Sequence, residues 1–511
     1  MGFGTILSAA IHGIKVELIH VEADVSNGLP IFHMVGYLSS EVKEAAERVR
    51  TAIKNSGLEY PVKRTVVNLS PAAIRKRGAS FDLPIAISIL VSIGYIAPEE
   101  VKSMLIIGEL SLDGRVQKVP GILAIVMAAK EAGIRTFIVP QSNATEGALA
   151  GGVKVFGIGS LKDTCKFLKG ELKLSKTPDP EIDLAGNETE YALDYGDVYG
   201  QETVKRATEI AVAGGHSMLL VGSPGSGKTM TAQRIPSISP PMSLEESMEI
   251  TKIYSIKGLL DEASPLIRER PFRSVHHTAT RTALVGGGMI PTPGEISLAH
   301  GGVLFMDELP EFQRAVLEVL RQPLEEHAVQ ITRSAGSYQF PANFMLICAM
   351  NPCPCGMYPD FEKCTCTPGQ IHQYLGKISQ PFLDRLDICV EAPKIKYNAL
   401  KGAGSTESSK SIRERVCKAR EIQQRRYQNA GSITNANISH KEIATYCQLE
   451  TEEEQLMEQA FAMLNLTVRS YHKILRVART IADLDQEERI GSKHLKEAIG
   501  YRTIDKKYWG R

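Results

Sequence analysis

Apolar positions in the first third of the chain follow both helical and strand periods. After Ser39 and Ser40, which can cap a helix, one face of the stretch stays apolar at Val42, Ala45, Ala46, Val49, Ala52 and Ile53. The β-branched run "RTVVNLS" predicts a strand, and "DLPIAISILVSIG" predicts a buried helix. The segment "SMLIIGELSLDGRVQKV" predicts two strands joined at Asp113-Gly114. Residues 1–168 are therefore expected to form an α+β unit.

Between residues 195 and 400, short apolar runs alternate with helical patterns. The runs are "SMLLVG", "GGVLFMDE" and "FMLICAMN", and their alternation favours a parallel sheet with helices on both faces. Residues 169–194 are polar, contain proline and lack a period, as is typical of a linker. The polar stretch "KGAGSTESSK" (401–410) predicts a hinge, and residues 411–511 carry helical patterns without a strand signal. The pattern predicts a multidomain α/β protein with an all-helical C-terminal domain.

The composition is that of an ordinary globular protein, with 511 residues, 43% of them hydrophobic and 23% charged. Because the net charge is only +1, any site for a polyanion must be local. The N-terminus lacks the basic region and cleavage site of a signal peptide. The longest apolar stretch, 83–97, holds roughly 15 residues, fewer than the about 20 that span a bilayer. We therefore expect a cytoplasmic protein with no membrane partner.

The stretch "LLVGSPGSGKTMTA" (219–232) matches the phosphate-loop pattern G-x-x-x-x-G-K-[ST] and lies between a predicted strand and a predicted helix. Backbone N–H groups of such a loop cradle the phosphates of ATP. The loop here consists of Gly222, Ser223, Pro224, Gly225, Ser226 and Gly227, of which only Pro224 has no N–H to donate. Lys228 would reach the β- and γ-phosphate oxygens, and Thr229 would face Mg²⁺. The pattern therefore predicts a site for ATP with Mg²⁺.

Polar residues end the next two apolar runs. Asp307 and Glu308 follow "GGVLFM", so Asp307 would hold Mg²⁺ and Glu308 would polarise the attacking water. Asn351 ends "FMLICAMN", where its amide could orient that same water. An acidic pair at a strand end is often merely solvated, and Asn before Pro is a common turn. Their place after a phosphate loop favours the catalytic interpretation.

This order of elements resembles that of the AAA+ ATPases. The resemblance implies that Asn351 is the sensor on the strand beside the acidic pair. The segment "SQPFLDRLDI" resembles the one that carries the arginine finger, so Arg385 would reach the γ-phosphate bound to a neighbouring subunit. The alternative is a surface arginine paired with Asp384 or Asp387. The resemblance thus implies that one subunit completes the active site of the next.

Two further segments resemble parts of an AAA+ protein. Arg469, in "TVRSYHKILRVARTIADL", resembles the second sensor on the helical lid, with Arg476 and Arg479 as rivals. "DVYGQETVKRA" (197–207), which contains Tyr199 and Gly200, resembles the stretch that lines the adenine pocket. These assignments follow from the resemblance alone.

Longer segments resemble one particular group within the AAA+ ATPases. The glycine-rich "SVHHTATRTALVGGGMIPTPGEISLAHGG" and the hairpin-like "RQPLEEHAVQITRSAGSYQFPANF" resemble the magnesium-chelatase-like group. "GLPIFHMVGYLSSEVKEAAERVRTAI", "FDLPIAISIL" and "GELSLDGRVQKVPGIL" resemble the ComM/YifB family. That resemblance implies a hexameric ring that acts on single-stranded or branched DNA in branch migration, as a helicase of natural transformation or recombination. The alternative is a chelatase-like motor subunit that remodels a protein client.

The N-terminal unit also resembles the Lon protease domain, which uses a Ser–Lys pair. Aligning "KRGASFDLP" places Ser80 at the nucleophile, and aligning "VPGILAIV" places Leu123 where the lysine belongs. Lys118 and Lys130 are near in sequence but out of register. A serine without a base is not a competent nucleophile, so we expect an inactive Lon-protease-like domain over residues 1–168.

Four of the nine cysteines lie within "CPCGMYPDFEKCTC", at Cys353, Cys355, Cys364 and Cys366. Four thiolates suit a tetrahedral structural Zn²⁺, although the C-x-C spacing is tighter than usual. The alternative is four reduced cysteines in a loop. We expect a zinc loop at 353–366 that fixes the chain after Asn351, and no metal at His276 and His277, which suit a polar surface or interface.

Because the net charge is only +1, the affinity for DNA must come from a few basic side chains at the positions where the strand passes. The best candidates are Arg333 in the hairpin-like segment and Arg281 in the glycine-rich insertion, both expected to face the interior of a ring. The alternative places both arginines at subunit interfaces.

Overall fold

The N-terminal unit is built on one mixed sheet of seven strands. The computed structural model describes residues 2–180, 191–288, 291–333, 336–360, 362–394, 407–428 and 434–510. In the order β3-β4-β2-β1-β5-β8-β9, the strands are β1 Phe3–His12, β2 Lys15–Ser26, β3 Phe32–Val35, β4 Arg64–Ser70, β5 Met104–Ile106, β8 Thr136–Pro140 and β9 Lys154–Ile158. Strand β2 runs antiparallel to β1 and β4, and the remaining pairs are parallel.

Six helices accompany this sheet: α1 Ser40–Lys43, α2 Ala45–Asn55, α3 Asp82–Ser92, α4 Ile122–Glu131, α5 Ala144–Ala148 and α6 Leu161–Leu168. The helix expected after Ser39 is confirmed but is divided at Glu44, and its apolar face is buried except for the half-buried Ala46. Every residue of α3 is buried, because its sequence is apolar on all faces.

The hairpin expected at Asp113-Gly114 is present, but its two strands are shorter than the predicted ones. Strands β6 Glu109–Leu110 and β7 Val116–Gln117 pair antiparallel around that turn. Gly114 has φ 85° there, a left-handed conformation that glycine adopts without steric cost. The apolar run before it is not one strand, since β5 ends at Ile106 and joins the large sheet.

The predicted parallel sheet is confirmed and has five strands in the order β11-β14-β17-β10-β18. These are β10 Met218–Gly222, β11 Phe272–Val275, β14 Val303–Met306, β17 Met345–Met350 and β18 Ile388–Ala392. The three predicted apolar runs form its centre, and β11 and β18 add the two edges. Helices of this domain are α7 Glu202–Gly214, α8 Lys228–Gln233, α9 Ile235–Ile238, α10 Leu244–Lys257, α13 Arg314–Val319, α14 Arg321–Glu326, α15 Pro368–Leu375 and α16 Gln380–Leu383.

Two insertions extend from this core. The glycine-rich one contains α11 Arg281–Val285, β12 Gly286–Gly287, β13 Thr292–Pro293 and α12 Glu295–Leu298. The expected hairpin is present as β15 Ala328–Arg333 and β16 Gly336–Pro341, which pair antiparallel. The two residues at its tip, 334 and 335, lie outside the described residues, as does most of the expected hinge at 401–410.

The C-terminal domain is helical in its described residues, as expected. Its helices are α17 Ser409–Arg426, α18 His440–Tyr446, α19 Thr451–Leu464, α20 Val468–Leu484, α21 Ser492–Gly500 and α22 Thr503–Trp509. The last helix returns to the ATPase core, where Trp509 Nε1 donates to the carbonyl of Leu375 at 3.2 Å and Tyr508 contacts Glu391. No helix in the described parts of the chain is long and apolar enough to cross a membrane.

The N-terminal unit packs on α10 of the ATPase core. The N–H of Gly121 donates to the carbonyl of Ser255 at 2.9 Å, and Leu123 is fully buried in a small cluster with Leu266. Glu146 accepts hydrogen bonds from the N–H of Leu123 (2.9 Å) and the hydroxyl of Ser255 (2.5 Å). The position that aligns with the Lon lysine is thus part of a contact between two domains.

Candidate nucleotide-binding site

The phosphate loop leaves β10 at its carboxyl end and leads into α8. Gly225 and Gly227 have φ 74° and 85°, the left-handed values that such a loop requires and that glycine tolerates. A Cβ on Gly222 would lie 2.5 Å from the carbonyl oxygen of Ala392 and 2.8 Å from the hydroxyl of Ser226. Glycine is therefore needed at 225 and 227 for the turn, and at 222 because the loop passes close to β18 there.

Lys228 is the buried cation of the loop. Its Nζ donates to the carbonyls of Gly222 (2.8 Å) and Ser223 (3.0 Å) and to Oδ1 of Asn351 (3.2 Å). Burial lowers the pKa of Lys228, and the negative charge of Asp307 partly offsets that effect. The structure thus brings together Lys228 and Asn351, which follow the adjacent strands β10 and β17.

Thr229 and Asp307 meet in the same way. The Thr229 hydroxyl donates to Oδ2 of Asp307 at 2.7 Å, so a hydroxyl oxygen and a carboxylate oxygen converge beside the phosphate loop. Such hard oxygen donors fit Mg²⁺, which takes one or two protein oxygens and completes its shell with phosphate and water.

Glu308 is held in an unusual backbone conformation. Its φ is 52° and its ψ is 45°, a left-handed conformation that costs a non-glycine residue about 1–2 kcal/mol. Its N–H donates to Oδ1 of Asp307 at 2.8 Å. The side chain is 57% exposed, and its Oε2 lies 3.0 Å from Nδ1 of His277.

The segment assigned to the adenine pocket reaches the phosphate loop through a residue that the sequence did not single out. Gln201 is buried, and its Nε2 donates to the carbonyls of Ser226 (2.8 Å) and Pro393 (2.7 Å). Tyr199 is 36% exposed, and Gly200 has φ 65°. The only sequence signal for Gln201 is its place in the quoted stretch, directly after Tyr199 and Gly200.

Arg385 lies at the opposite end of the sheet. It lines a cavity of about 770 Å³ together with Ser217 and Met345, which lie at the amino ends of β10 and β17. Five residues of β10 separate that end from the phosphate loop, roughly 16 Å at about 3.3 Å per residue. Arg385 is ion-paired, but with Glu325 (2.6 Å) in place of the two aspartates considered from the sequence.

The candidates for the second sensor occupy different surroundings. The exposed Arg469 and the half-buried Arg476 line the same cavity as Arg385. Arg479 is buried in the helical domain and donates to the carbonyls of Glu487 (2.5 Å) and Glu488 (2.7 Å). Its guanidinium therefore supports the turn after α20, whereas Arg469 and Arg476 face the cavity.

The four cysteines of the loop after β17 converge. Their Sγ atoms all lie within 4.8 Å of one another, with separations of 3.4, 3.8 and 3.6 Å among Cys353, Cys355 and Cys364. A tetrahedral Zn²⁺ with bonds of about 2.3 Å places its sulfurs about 3.8 Å apart. The donor set fits zinc.

This loop packs directly on the phosphate loop. Gly356 has φ 77°, and a Cβ there would lie 2.3 Å from the ring of Pro224. On its other side, the ring of Tyr358 meets that of Tyr508 edge to face at 5.9 Å. The cysteine loop is thus held between the phosphate loop and the last helix.

Residues predicted outside the nucleotide site are also located. Ser80 is half-buried and precedes α3, while Leu123 is buried against the ATPase core. Arg281 begins α11 and Arg333 ends β15, and both are exposed. Both predicted DNA contacts are therefore open to solvent in one subunit.

Comparison with known families covers nearly the whole chain. The family model described as magnesium chelatase, subunit ChlI matches residues 194–400. Two others, subunit ChlI of Mg-chelatase and the ChlI C-terminal region, match residues 21–143 and 406–502. Part of the chain, 27% of its length, is 27% identical to the Lon protease of Mycolicibacterium smegmatis, over 18% of that protein. The N-terminal region is therefore Lon-like and also matches a chelatase model, and residues 194–400 and 406–502 are chelatase-like.

Full-length relatives narrow the family further. The chain is 42% identical to the competence protein ComM of Haemophilus influenzae, over 99% of this chain and 98% of that protein. It is also 42% identical to YifB of Escherichia coli, with the same coverage of both chains. The chain therefore belongs to the ComM/YifB family of magnesium-chelatase-like AAA+ proteins.

Proposed function

We propose that this protein is an ATP-hydrolysing motor that assembles as a hexamer and moves DNA, with branch migration during natural transformation or recombination as its role. The observation that carries the ATPase proposal is that the groups needed for ATP hydrolysis lie together at the carboxyl ends of the parallel strands. Lys228 contacts Asn351 at 3.2 Å, and Thr229 contacts Asp307 at 2.7 Å. Lys228 would bind phosphate and Asp307 with Thr229 would hold Mg²⁺, which neutralises charge on the transferred phosphoryl group.

The position of Arg385 supports a ring. It lies at the amino ends of the strands, too far from its own phosphate loop to contact a phosphate there. An arginine that stabilises the transition state can be supplied by a neighbouring subunit, and Arg469 and Arg476 share its cavity. We infer that this face receives the nucleotide of the adjacent copy.

The DNA proposal draws support from the relative of Haemophilus influenzae, which is named a competence protein. The exposed arginines 281 and 333 would supply local positive charge in a chain of net charge +1. With Leu123 buried at the contact with α10, the N-terminal unit would act as an inactive protease scaffold that supports the motor. A cytoplasmic location is part of this proposal.

The cysteine loop would hold one structural Zn²⁺ through its four thiolates. The metal supplies rigidity, since structural zinc sites contribute directly to folding. Because Gly356 rests on Pro224, that rigidity would extend to the phosphate loop.

ATP hydrolysis measured with and without single-stranded, duplex and branched DNA tests the proposal, together with branch migration of a synthetic four-way junction. We expect ATP-dependent junction movement by the wild type and none by Glu308→Gln. If DNA neither binds nor stimulates hydrolysis at low salt, the DNA function is wrong. The chelatase-like motor with a protein client, which draws support from the match to the magnesium chelatase model, then takes its place.

A further inference from the structure

The turn between the first two strands of the N-terminal unit touches the hairpin of the ATPase core. Strands β1 and β2 pair as far as His12 and Lys15, so the turn consists of residues 13 and 14. A Cβ on Gly13 would lie 3.2 Å from Cδ1 of Tyr338 and 3.7 Å from Cζ of Phe340, and both rings belong to β16. Carbon atoms in contact are ordinarily about 3.5–4.0 Å apart. A side chain at position 13 would therefore press on the ring of Tyr338.

The contact lies close to the tip of the hairpin. Tyr338 pairs with Ile331 across the two strands, and Gly336 pairs with Arg333. Two residues along β16 separate Tyr338 from Gly336, roughly 7 Å at about 3.3 Å per residue. Ile331 and Tyr338 are buried, whereas Arg333 is exposed. The N-terminal unit thus contacts the buried face of the hairpin, two residues from the pair that contains a predicted DNA contact.

The strands behind this turn form a rigid support. Ten consecutive residue pairs join β1 and β2, and β5 and β4 flank them on either side in the seven-stranded sheet. Ile6 in β1 and Ile19 and Val21 in β2 are buried. Strands that are paired on both sides and buried in a core are among the last parts of a domain to open. The turn is therefore a fixed point against which the hairpin packs.

The glycine-rich insertion meets the N-terminal unit indirectly, through α10. The carbonyl of Ser255, near the end of α10, accepts from the N–H of Gly121 at 2.9 Å. Two residues further along α10, the ammonium group of Lys257 donates to the hydroxyl of Thr292 at 3.2 Å. Thr292 begins β13 of the insertion, which also contains Arg281. Both segments with predicted DNA contacts are therefore supported by the N-terminal unit, the hairpin directly and the insertion through α10.

We propose that the N-terminal unit is a brace for the hairpin, with Gly13 and Tyr338 as the positioning residues that fix where Arg333 stands. A hairpin that is already ordered loses less conformational freedom when it binds, so the brace raises the affinity for DNA. This second part rests on the DNA function proposed above. The unit that resembles a protease thus has a mechanical role that requires neither a nucleophile nor a base.

The first test inserts a side chain into the contact in the full-length chain. Gly13 has φ 67°, a left-handed conformation that Asn adopts more readily than most residues, so Gly13→Asn should press on Tyr338 without unfolding the turn. Gly94→Asn is the matched control, since Gly94 has φ 79° and a Cβ there meets no described atom within 4 Å. We expect Gly13→Asn to bind a branched oligonucleotide roughly 2- to 10-fold more weakly than the control, the cost of ordering one side chain on binding. Fluorescence anisotropy measures this affinity.

Amide hydrogen exchange without DNA measures the brace itself. The amides of β15 and β16 should exchange faster in Gly13→Asn than in Gly94→Asn, and those of the central strands β10 and β17 should exchange equally in both.

Variants of Tyr338 complete a double-mutant cycle. Tyr338→Ala removes the ring and should itself weaken DNA binding, whereas Tyr338→Phe keeps the ring and should bind as the wild type does. Adding Gly13→Asn to Tyr338→Ala should cost little more, because the ring that the new side chain meets is gone. A hairpin that was merely destabilised by two separate changes would lose affinity additively.

Equal exchange of the hairpin amides in Gly13→Asn and Gly94→Asn would overturn the brace, and so would full additivity in the cycle. Faster exchange with unchanged DNA affinity would overturn its role in DNA binding. Should Gly13→Asn fail to fold, as judged by its thermal unfolding, Tyr338→Ala compared with Tyr338→Phe carries the same two measurements. If the wild type binds no DNA at low salt while the hairpin amides still respond to Gly13→Asn, the brace stands and the DNA function fails.

Discussion

At the scale of single residues, Lys228 is expected to contact the phosphates of ATP, and Glu308 is expected to act on the attacking water. Lys228 is buried and aimed along the phosphate loop by two carbonyls, so Lys228→Ala should weaken ATP binding. Glu308 is 57% exposed, and its carboxylate lies 3.0 Å from His277. Because Glu308 is expected to act on the attacking water, Glu308→Gln should bind ATP normally and lose 10²-fold or more of its turnover, as is typical for a general base (roughly 10²–10⁴). Equilibrium binding of a fluorescent ATP analogue and steady-state hydrolysis separate the two. Wild-type hydrolysis by Glu308→Gln would contradict the assignment.

The sequence predicted those site residues that belong to one continuous motif or that directly follow an apolar run. Lys228 and Thr229 belong to one continuous motif, and Asp307 and Asn351 end apolar runs that could be recognised as strands. The partners of these residues could not be predicted, because tertiary pairing brings them close. His277 lies 31 positions before Glu308 in sequence, and only the pairing of β11 with β14 makes them neighbours.

At the scale of elements, the cysteine loop is predicted to stiffen the phosphate loop. Protein purified without chelator should contain about one zinc per chain, and its removal should weaken ATP binding. Gly356→Ala should weaken ATP binding too, since its Cβ would meet Pro224 at 2.3 Å. If the strain of about 1–2 kcal/mol acts wholly on the phosphate loop, affinity falls by roughly 5- to 30-fold. Elemental analysis and ATP titration measure both effects.

Gly369→Ala is the matched control for this element. It lies after the cysteines in α15, where an added Cβ meets nothing within 4 Å, and it should leave zinc content and ATP affinity unchanged. A zinc content near zero, with all nine thiols freely titratable, would contradict the metal site. Normal ATP affinity of zinc-free protein would contradict the coupling alone.

Elements with a strong apolar signal were predictable, and the edges of the sheets were not. Strands β10, β14 and β17 are buried on both faces, so each has a continuous apolar run. Edge strand β11, "FRSV", has no such run, because it carries the half-buried Arg273, which pairs with Glu295 at 2.7 Å. The helix after Ser39 was predicted by its period, but the break at Glu44 has no sequence signal.

At the scale of the whole molecule, the distance between Arg385 and its own phosphate loop predicts complementation. A ring of Arg385→Ala subunits and a ring of Lys228→Ala subunits should each be inactive. In mixed rings, an intact Lys228 can lie beside an intact Arg385 of the next copy, so part of the ATPase activity should return. Hydrolysis at several mixing ratios, with mass photometry to establish that the rings are mixed, measures this. Mixed rings without recovery would mean that Arg385 acts elsewhere.

The last prediction concerns how a molecule of net charge +1 holds a polyanion. If Arg281 and Arg333 face the interior of the ring, both contact phosphates, and DNA binding should fall with salt and show little sequence preference. Each Arg→Ala variant should flatten the slope of log affinity against log salt by about 0.7–0.9. Hexamer formation and DNA-free hydrolysis should stay near wild type in Arg333→Ala, because this residue ends β15 at the exposed side of the hairpin.

Arg281→Ala and Arg333→Ala should both retain stimulation of ATP hydrolysis by DNA. If each arginine contributes only a phosphate contact, its loss weakens DNA binding without altering the hydrolytic groups. Full stimulation should therefore return in both variants once enough DNA is added. If both variants instead fail to assemble into rings, the two arginines lie at subunit interfaces. Their exposure in a single chain then belongs to a surface that the neighbouring copy covers.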